Sequence, residues 1–201
     1  MTLTLTEGRR TVELARSTVQ AHVRQASLPD AALPPVFEEK RGVFVTINRA
    51  RNGPEKLRGC IGFPYPVRKL GAAIRNTSVA AASEDPRFPP VNGGELDAIV
   101  FEVSVLTRPI PIESEPRSSL PSKLRIGEDG LIVSDANSSG LLLPQVATKF
   151  GMGQVEFLSQ ASVKAGLSPG DWLDRHIKIE VFQAEIFSEL EPNGEVVRIQ
   201  T

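Results

Sequence analysis

The residues Leu57-Arg58-Gly59-Cys60-Ile61-Gly62 place the chain's one cysteine two positions after an arginine and between two glycines. Read as an extended strand, this run sends Leu57, Gly59, Ile61 and Phe63 to one face and Arg58, Cys60 and Gly62 to the other. The first set is apolar and belongs against a core. The second brings a guanidinium within reach of a thiol. A nearby positive charge favours thiolate over thiol, so Arg58 would lower the Cys60 pKa or clamp an anionic substrate, with sulfur as nucleophile or acceptor. Gly59 and Gly62 leave room for a ligand or another backbone to come close. A structural account fits the same residues, because free cysteine is among the types most often buried and strand glycines frequently mark tight packing. Sequence chemistry leaves both accounts open.

A cysteine nucleophile normally works with a base, and the chain has only His22 and His176. Nothing in the spacing ties either to Cys60, and no short spacing of Cys, His, Asp or Glu resembles a metal motif, so no metal ligand is assigned. The second constellation is Ser83-Glu84-Asp85-Pro86-Arg87-Phe88. Glu84, Asp85 and Arg87 form a proline-stiffened polar corner that could hold a substrate, or Asp85 and Arg87 could hold each other. Gly151-Met152-Gly153 lacks the third glycine of a nucleotide loop, and Gly-Lys-Ser or Gly-Lys-Thr does not occur.

The elements that must position these residues follow from hydrophobic period. Glu7 to Ala26 reads as an amphipathic helix, with Val12, Ala15, Val19 and Val23 on one face, Arg9, Arg10, Glu13 and Arg16 on the other, and Thr6 as cap. A proline-rich connection over Leu28 to Val36 leads to a strand over Gly42 to Asn48. Asn52-Gly53-Pro54 then makes the turn of a hairpin with Leu57 to Phe63. Val67 to Ser83 is a helix ended by Pro86, and Asp97 to Thr107 alternates as a strand of a main sheet. Lys123 to Ile126 and Leu131 to Ser134 suggest a hairpin around Asp129-Gly130. Leu141 to Pro144 adds an edge strand, Pro144 opens a helix, Gln154 to Ala165 forms another closed by Gly166, and Ile177 to Phe187 is one last strand. Hairpins with helices between them, rather than regular β-α-β alternation, indicate an α+β class with mostly antiparallel sheet.

The bulk properties exclude several functions. At 201 residues with 40% hydrophobic and 23% charged residues, the chain is ordinary globular material for one folding unit with an elaboration. Lys plus Arg of 23 against Asp plus Glu of 24 leaves a net charge of −1, which offers nothing to neutralise a track of phosphates, so nucleic acid is not an expected partner. No apolar run has the length of a membrane span, and a single cysteine fits a reducing compartment, so a cytoplasmic location is expected.

Taken in order along the chain, LRGCIG (57–62), EDPRF (84–88), VSVLT (103–107), GLIV (130–133), GLLLPQV (140–146) and KAGL (164–167) resemble the AMMECR domain family, whose hallmark is the hexapeptide. The resemblance covers nearly the whole chain. It implies one domain over 1–201, with a smaller subdomain of about residues 36–90, a larger one of about 1–35 with 91–201, and the hexapeptide facing a cleft between them. It further implies an enzyme or enzyme accessory in protein or small-molecule modification, with Cys60 at the cleft and Arg58, Gly59, Gly62, Glu84, Asp85 and Arg87 around it; the rival is a non-catalytic ligand- or protein-binding module. No cofactor is assigned. Association within the family suggests a Memo-like protein and a radical S-adenosylmethionine protein as partners. Family members often carry a cysteine where this chain has Ser162, so a scheme using two thiols is not expected here.

Overall fold

The computed structural model describes residues 2–28, 32–50 and 57–200. Its elements are α1 (Leu5–Val23), β1 (Gly42–Arg49), β2 (Leu57–Phe63), α2 (Leu70–Ser83), β3 (Ile99–Leu106), β4 (Ile110–Pro111), β5 (Gly130–Ser134), β6 (Ser139–Leu142), α3 (Pro144–Phe150), α4 (Gln154–Lys164), β7 (Lys178–Phe182), β8 (Ala184–Glu189) and β9 (Val196–Ile199). The fold is α+β, with helices on largely antiparallel sheets, as the hairpin pattern indicates. The Asn52-Gly53-Pro54 turn and part of the Leu28–Val36 connection lie outside the described residues.

The chain divides into two compact units, Met1–Leu106 with Glu185–Gln200, and Thr107–Ala184. This differs from the division at 36 and 90 expected above, and the reason is a shared core. β1 pairs with β3 along its whole length, from Gly42 opposite Leu106 to Arg49 opposite Ile99. Val43, Val45 and Ile47 of β1 are fully buried in one cluster with Val12 and Val19 of α1 and Phe101 of β3. Residues 36–90 therefore have no core of their own.

In the first unit the sheet order is β2-β1-β3-β8-β9, which makes β2 an edge strand. The cap of helix α1 is Thr4, two residues before the expected Thr6, because Thr4 and Glu7 satisfy each other: Glu7 N–H donates to Thr4 Oγ1 at 3.2 Å and Thr4 N–H donates to the Glu7 carboxylate at 2.8 Å. Thr6 has no such partner three residues on. Arg16, assigned to the solvent face, is 6% exposed. It donates to both carboxylate oxygens of Glu189 and to the carbonyls of Leu96 and Ile99, while Glu189 also accepts from Phe101 N–H. An arginine that finds this many acceptors can be buried on an otherwise apolar face.

The second unit has a sheet ordered β4-β7-β5-β6, packed by α3 and α4 over Leu131, Val133, Phe157, Leu158 and Trp172. The expected hairpin around Asp129-Gly130 is replaced by one joining β5 and β6, because Asp135 caps the real turn by accepting from Asn137 N–H and Ser138 N–H. Asp129 instead accepts from Arg125 N–H at 2.9 Å, tying back the chain ahead of β5. The single strand expected over Ile177 to Phe187 is two, β7 in one sheet and β8 in the other. Gln183 between them exchanges hydrogen bonds with Thr107. Ser162 is fully buried on α4 and donates to the Leu158 carbonyl.

Helix α2 lies so close to β2 that a Cβ on Gly59 would sit 2.1 Å from the Ala81 carbonyl oxygen. Gly59→Ala is therefore expected to lower stability by about 1–3 kcal/mol through overpacking. Gly93→Ala, where nothing lies within 4 Å, should stay within about 0.5 kcal/mol of the parent. Denaturant midpoints of the two variants check this.

Candidate functional site

Alternation holds from Gly59 to Phe63 of β2, and pairing with β1 sets Cys60 opposite Thr46, which in turn is opposite Glu102 of β3. The result is a thiol, hydroxyl and carboxylate row on the face of the sheet away from Val45 and Ile47. Thr46 Oγ1 donates to Cys60 Sγ at 3.3 Å. The thiol is half-buried, and that burial pushes its pKa up. The Thr46 hydrogen bond and the Arg87 charge pull it down less than burial raises it, and the carboxylates of Glu102 and Asp85 add to the rise. The expected lowering by Arg58 does not occur, because that guanidinium is committed elsewhere. Its Nε and Nη2 donate to Glu95 at 2.6 and 3.0 Å, and its side chain is 2% exposed. Glu95 sits on the 3₁₀ turn Gly93–Ala98, and Arg58 holds its carboxyl below the usual range. A register shift at Ile47/Asn48 of β1 falls beside Arg58 and separates its surroundings from those of Cys60.

Asp85 and Arg87 do come to Cys60, and they hold its backbone. Helix α2 stops at Ser83, and the corner behind it delivers Asp85 Oδ2 to Cys60 N–H at 2.8 Å. Arg87 donates from Nε to Asp85 Oδ1 at 2.9 Å and from Nη2 to Oδ2 at 2.7 Å, and its Nη2 also reaches the Cys60 carbonyl at 3.4 Å. A carboxylate and a guanidinium thus take the acceptor and donor places of a missing neighbouring strand. The ion pair that is one reading of this corner is formed between Asp85 and Arg87. The guanidinium, through its hydrogen bonds, and the backbone N–H groups of Cys60 and Arg87 bring the Asp85 carboxyl down to about 2 against the opposing effect of burial.

The two glycines offer no vacant space on the side of a missing Cβ. At Gly59 the Ala81 carbonyl fills it, and at Gly62 a Cβ would lie 2.3 Å from the Val43 carbonyl oxygen and 2.4 Å from the Phe44 ring. Glu84 parts from Asp85: it is exposed and lines a concavity of about 440 Å³ with Ile61, Phe63, Arg68, Thr77 and Val79. Cys60, Arg58 and Arg87 are not in that lining. His22 and His176 are both exposed, and the thiol's hydrogen bond comes from Thr46. Among the described residues no group of His, Cys, Asp and Glu could hold a metal ion, and no helix is long and apolar enough to cross a membrane.

Sequence reasoning missed Thr46, Glu95, Glu102 and the apolar lining. Thr46 and Glu102 were within its reach, since each is a polar residue on an alternating strand; only the register that aligns them with Cys60 was lacking. Glu95 carried a signal as well: with Asn92 it forms a capping box over Gly93–Ala98.

The AMMECR1 family model matches residues 12–187. A protein of Thermofilum pendens is 47% identical over 203 residues, spanning 97% of this chain and 95% of its own length. One of Thermococcus gammatolerans is 50% identical over 194 residues, with 95% and 94% covered. The crystal structure of an uncharacterised protein from Pyrococcus horikoshii superimposes with a TM-score of 0.93 at 44% identity, covering 98% of both chains.

Because the folded Asp85 carboxyl titrates at about 2 rather than at its ordinary 3.8, its deprotonated form stabilises the fold above pH 4. That contribution, about 2 kcal/mol, is lost as pH falls from about 4 toward 2. Urea denaturation across that range should show the decline in the parent and a shallower one in Asp85→Asn, which is also less stable at neutral pH. Declines of equal depth would assign the proton uptake to other groups.

Proposed function

The chain belongs to the AMMECR1 family, and we propose that it acts within it as a non-catalytic binding module, an accessory rather than the catalyst of a modification reaction. The observation that carries this reading is that the Arg58 side chain and the Cys60 backbone of the hexapeptide are spent on the fold. Arg58 is given to Glu95, the Cys60 N–H to Asp85 and its carbonyl to Arg87, and both glycines admit neighbouring atoms of the chain itself. A nucleophile of the Cys60 type needs thiolate at working pH, supplied by a base or an unshared positive charge. Here the thiol faces a hydroxyl donor, two carboxylates and the Arg87 guanidinium, which is already shared with Asp85, and burial favours its neutral form. The adjacent concavity, with apolar walls and the exposed charges of Arg68 and Glu84, is the part of the motif's surroundings still free to recognise something.

A module of this kind would serve the Memo-like and radical S-adenosylmethionine proteins that the family resemblance suggests as associates, in the cytoplasm, where a lone thiol stays reduced. The rate of Cys60 alkylation by iodoacetamide, followed by intact mass against pH, tests the reading. An inflection above about 8.5 is expected, the side of the reference thiol to which burial moves it. An inflection below about 7, or a covalent adduct on Cys60 in protein purified from its own host, would return catalysis to the sulfur.

A further inference from the structure

Strand β2 closes one edge of its sheet, and an antiparallel edge strand turns the N–H and C=O of every second residue away from its neighbour. At Cys60 both outward groups are taken, by Asp85 and Arg87. No register shift lies between Cys60 and Gly62, so the N–H and C=O of Gly62 face the same open edge, and the pairing with β1 leaves them unused. Beside that edge lies the concavity of about 440 Å³, walled by Ile61 and Phe63 of β2 and by Thr77, Val79 and Ala80 of α2.

The ends of this groove carry opposite charge. Helix α2 runs back along β2, since Ala81 near its end lies against Gly59. Glu84, just beyond that end, therefore stands on the Cys60 side. Arg68 precedes the first turn of α2, and its carbonyl accepts from Arg41 N–H, next to the pairing of Val43 with Phe63, so Arg68 stands on the Phe63 side. A free backbone donor and acceptor on one wall, an apolar interior, a cation at one end and an anion at the other match an extended polypeptide. We infer that this groove binds an extended peptide by strand addition at Gly62, with an apolar side chain in the concavity, an acidic side chain toward Arg68 and a basic one toward Glu84. This rests on the binding-module reading above and names its ligand class. The Asp85–Arg87 pair ends the addition at Cys60, so the backbone pairing is short and the side chain in the groove must supply selectivity.

The test is a random-peptide display selection on the full chain, with hits measured by fluorescence polarisation. Selected peptides should share an aliphatic or aromatic residue flanked by an acid and a base. N-methylation of a single backbone amide should weaken binding about tenfold at one position and little at its neighbours, as loss of one hydrogen bond predicts. Glu84→Arg should weaken peptides with the basic flank and strengthen those with an acid in its place. By NMR, the Gly62 amide should exchange faster than that of Cys60 in the free protein and slow when peptide saturates it. A selection that yields no binder, or binders indifferent to every N-methylation and to the Gly62 amide, would overturn strand addition. A small molecule that shifts Ile61 and Thr77 resonances while no peptide does so would also overturn it and leave the binding-module reading standing. An activated Cys60 thiolate would remove that reading itself.

Discussion

The first unit is organised around an unpaired sheet edge. Strand β2 has a neighbour on one side only, and its outward backbone groups must meet water, another chain or a substitute from within. The substitute is an ion pair. Asp85 accepts from Cys60 N–H, Arg87 donates to Cys60 C=O, and the two side chains hold each other, so one residue of the edge is closed by side chains in place of a strand. Asp85 is 4% exposed, and a carboxylate that deeply placed needs such charged and backbone donors to remain ionised. The stop of α2 at Ser83, the proline after Asp85 and the aromatic ring of Phe88 5.5 Å from the Arg87 guanidinium all fix where this pair can stand.

Once the edge is closed at Cys60, the composition of the hexapeptide follows from packing. Gly59 lets the end of α2 come down onto the strand, and Gly62 admits the Phe44 ring and the Val43 carbonyl. Ile61, between them, turns toward the α2 side and packs against the core. Cys60 needs a side chain small enough to sit half-buried beside Thr46 and the corner, and a neutral thiol meets that need. The six residues that look like a displayed reactive centre in the sequence are a seam on which a helix, a neighbouring strand and a loop converge.

Much of this was legible in the chain. Helix and strand periods placed the first helix, the 42–48 strand, α2, the long alternating strand and α4 closely, and alternation correctly set Cys60 on the face opposite Gly59 and Ile61. Apart from the local cap at Thr4 and the local turn at Asp135, the failures share a cause, which is partners distant in sequence. Arg16 reads as solvent-facing until Glu189, Leu96 and Ile99 are seen to surround it. Ile177 to Phe187 reads as one strand because both sheets impose the same period of two, and nothing in its residues marks the change of sheet at Gln183. Arg58 reads as an activator of Cys60 because they lie two residues apart; Glu95, thirty-seven positions on, outbids Cys60 for the guanidinium. Sequence spacing identifies candidates for contact, and competition among distant partners decides which contact forms.

That competition also explains why a charged residue occupies the buried position 58. An ion pair with one side chain 2% exposed and the other 26% gains little stability over an apolar pair, because desolvation consumes most of the attraction. What it supplies is direction. An apolar residue at 58 would accept any apolar neighbour, whereas a guanidinium hydrogen-bonded through Nε and Nη2 to one carboxylate fixes the Gly93–Ala98 turn at one place along β2. The segment between α2 and that turn is then held at both ends, by Asp85 on Cys60 and by Glu95 on Arg58. Both ends of the loop are thus fixed on alternate residues of one strand. The buried arginine therefore stabilises the fold only modestly by itself, and its larger effect is to set where the Gly93–Ala98 turn stands along β2.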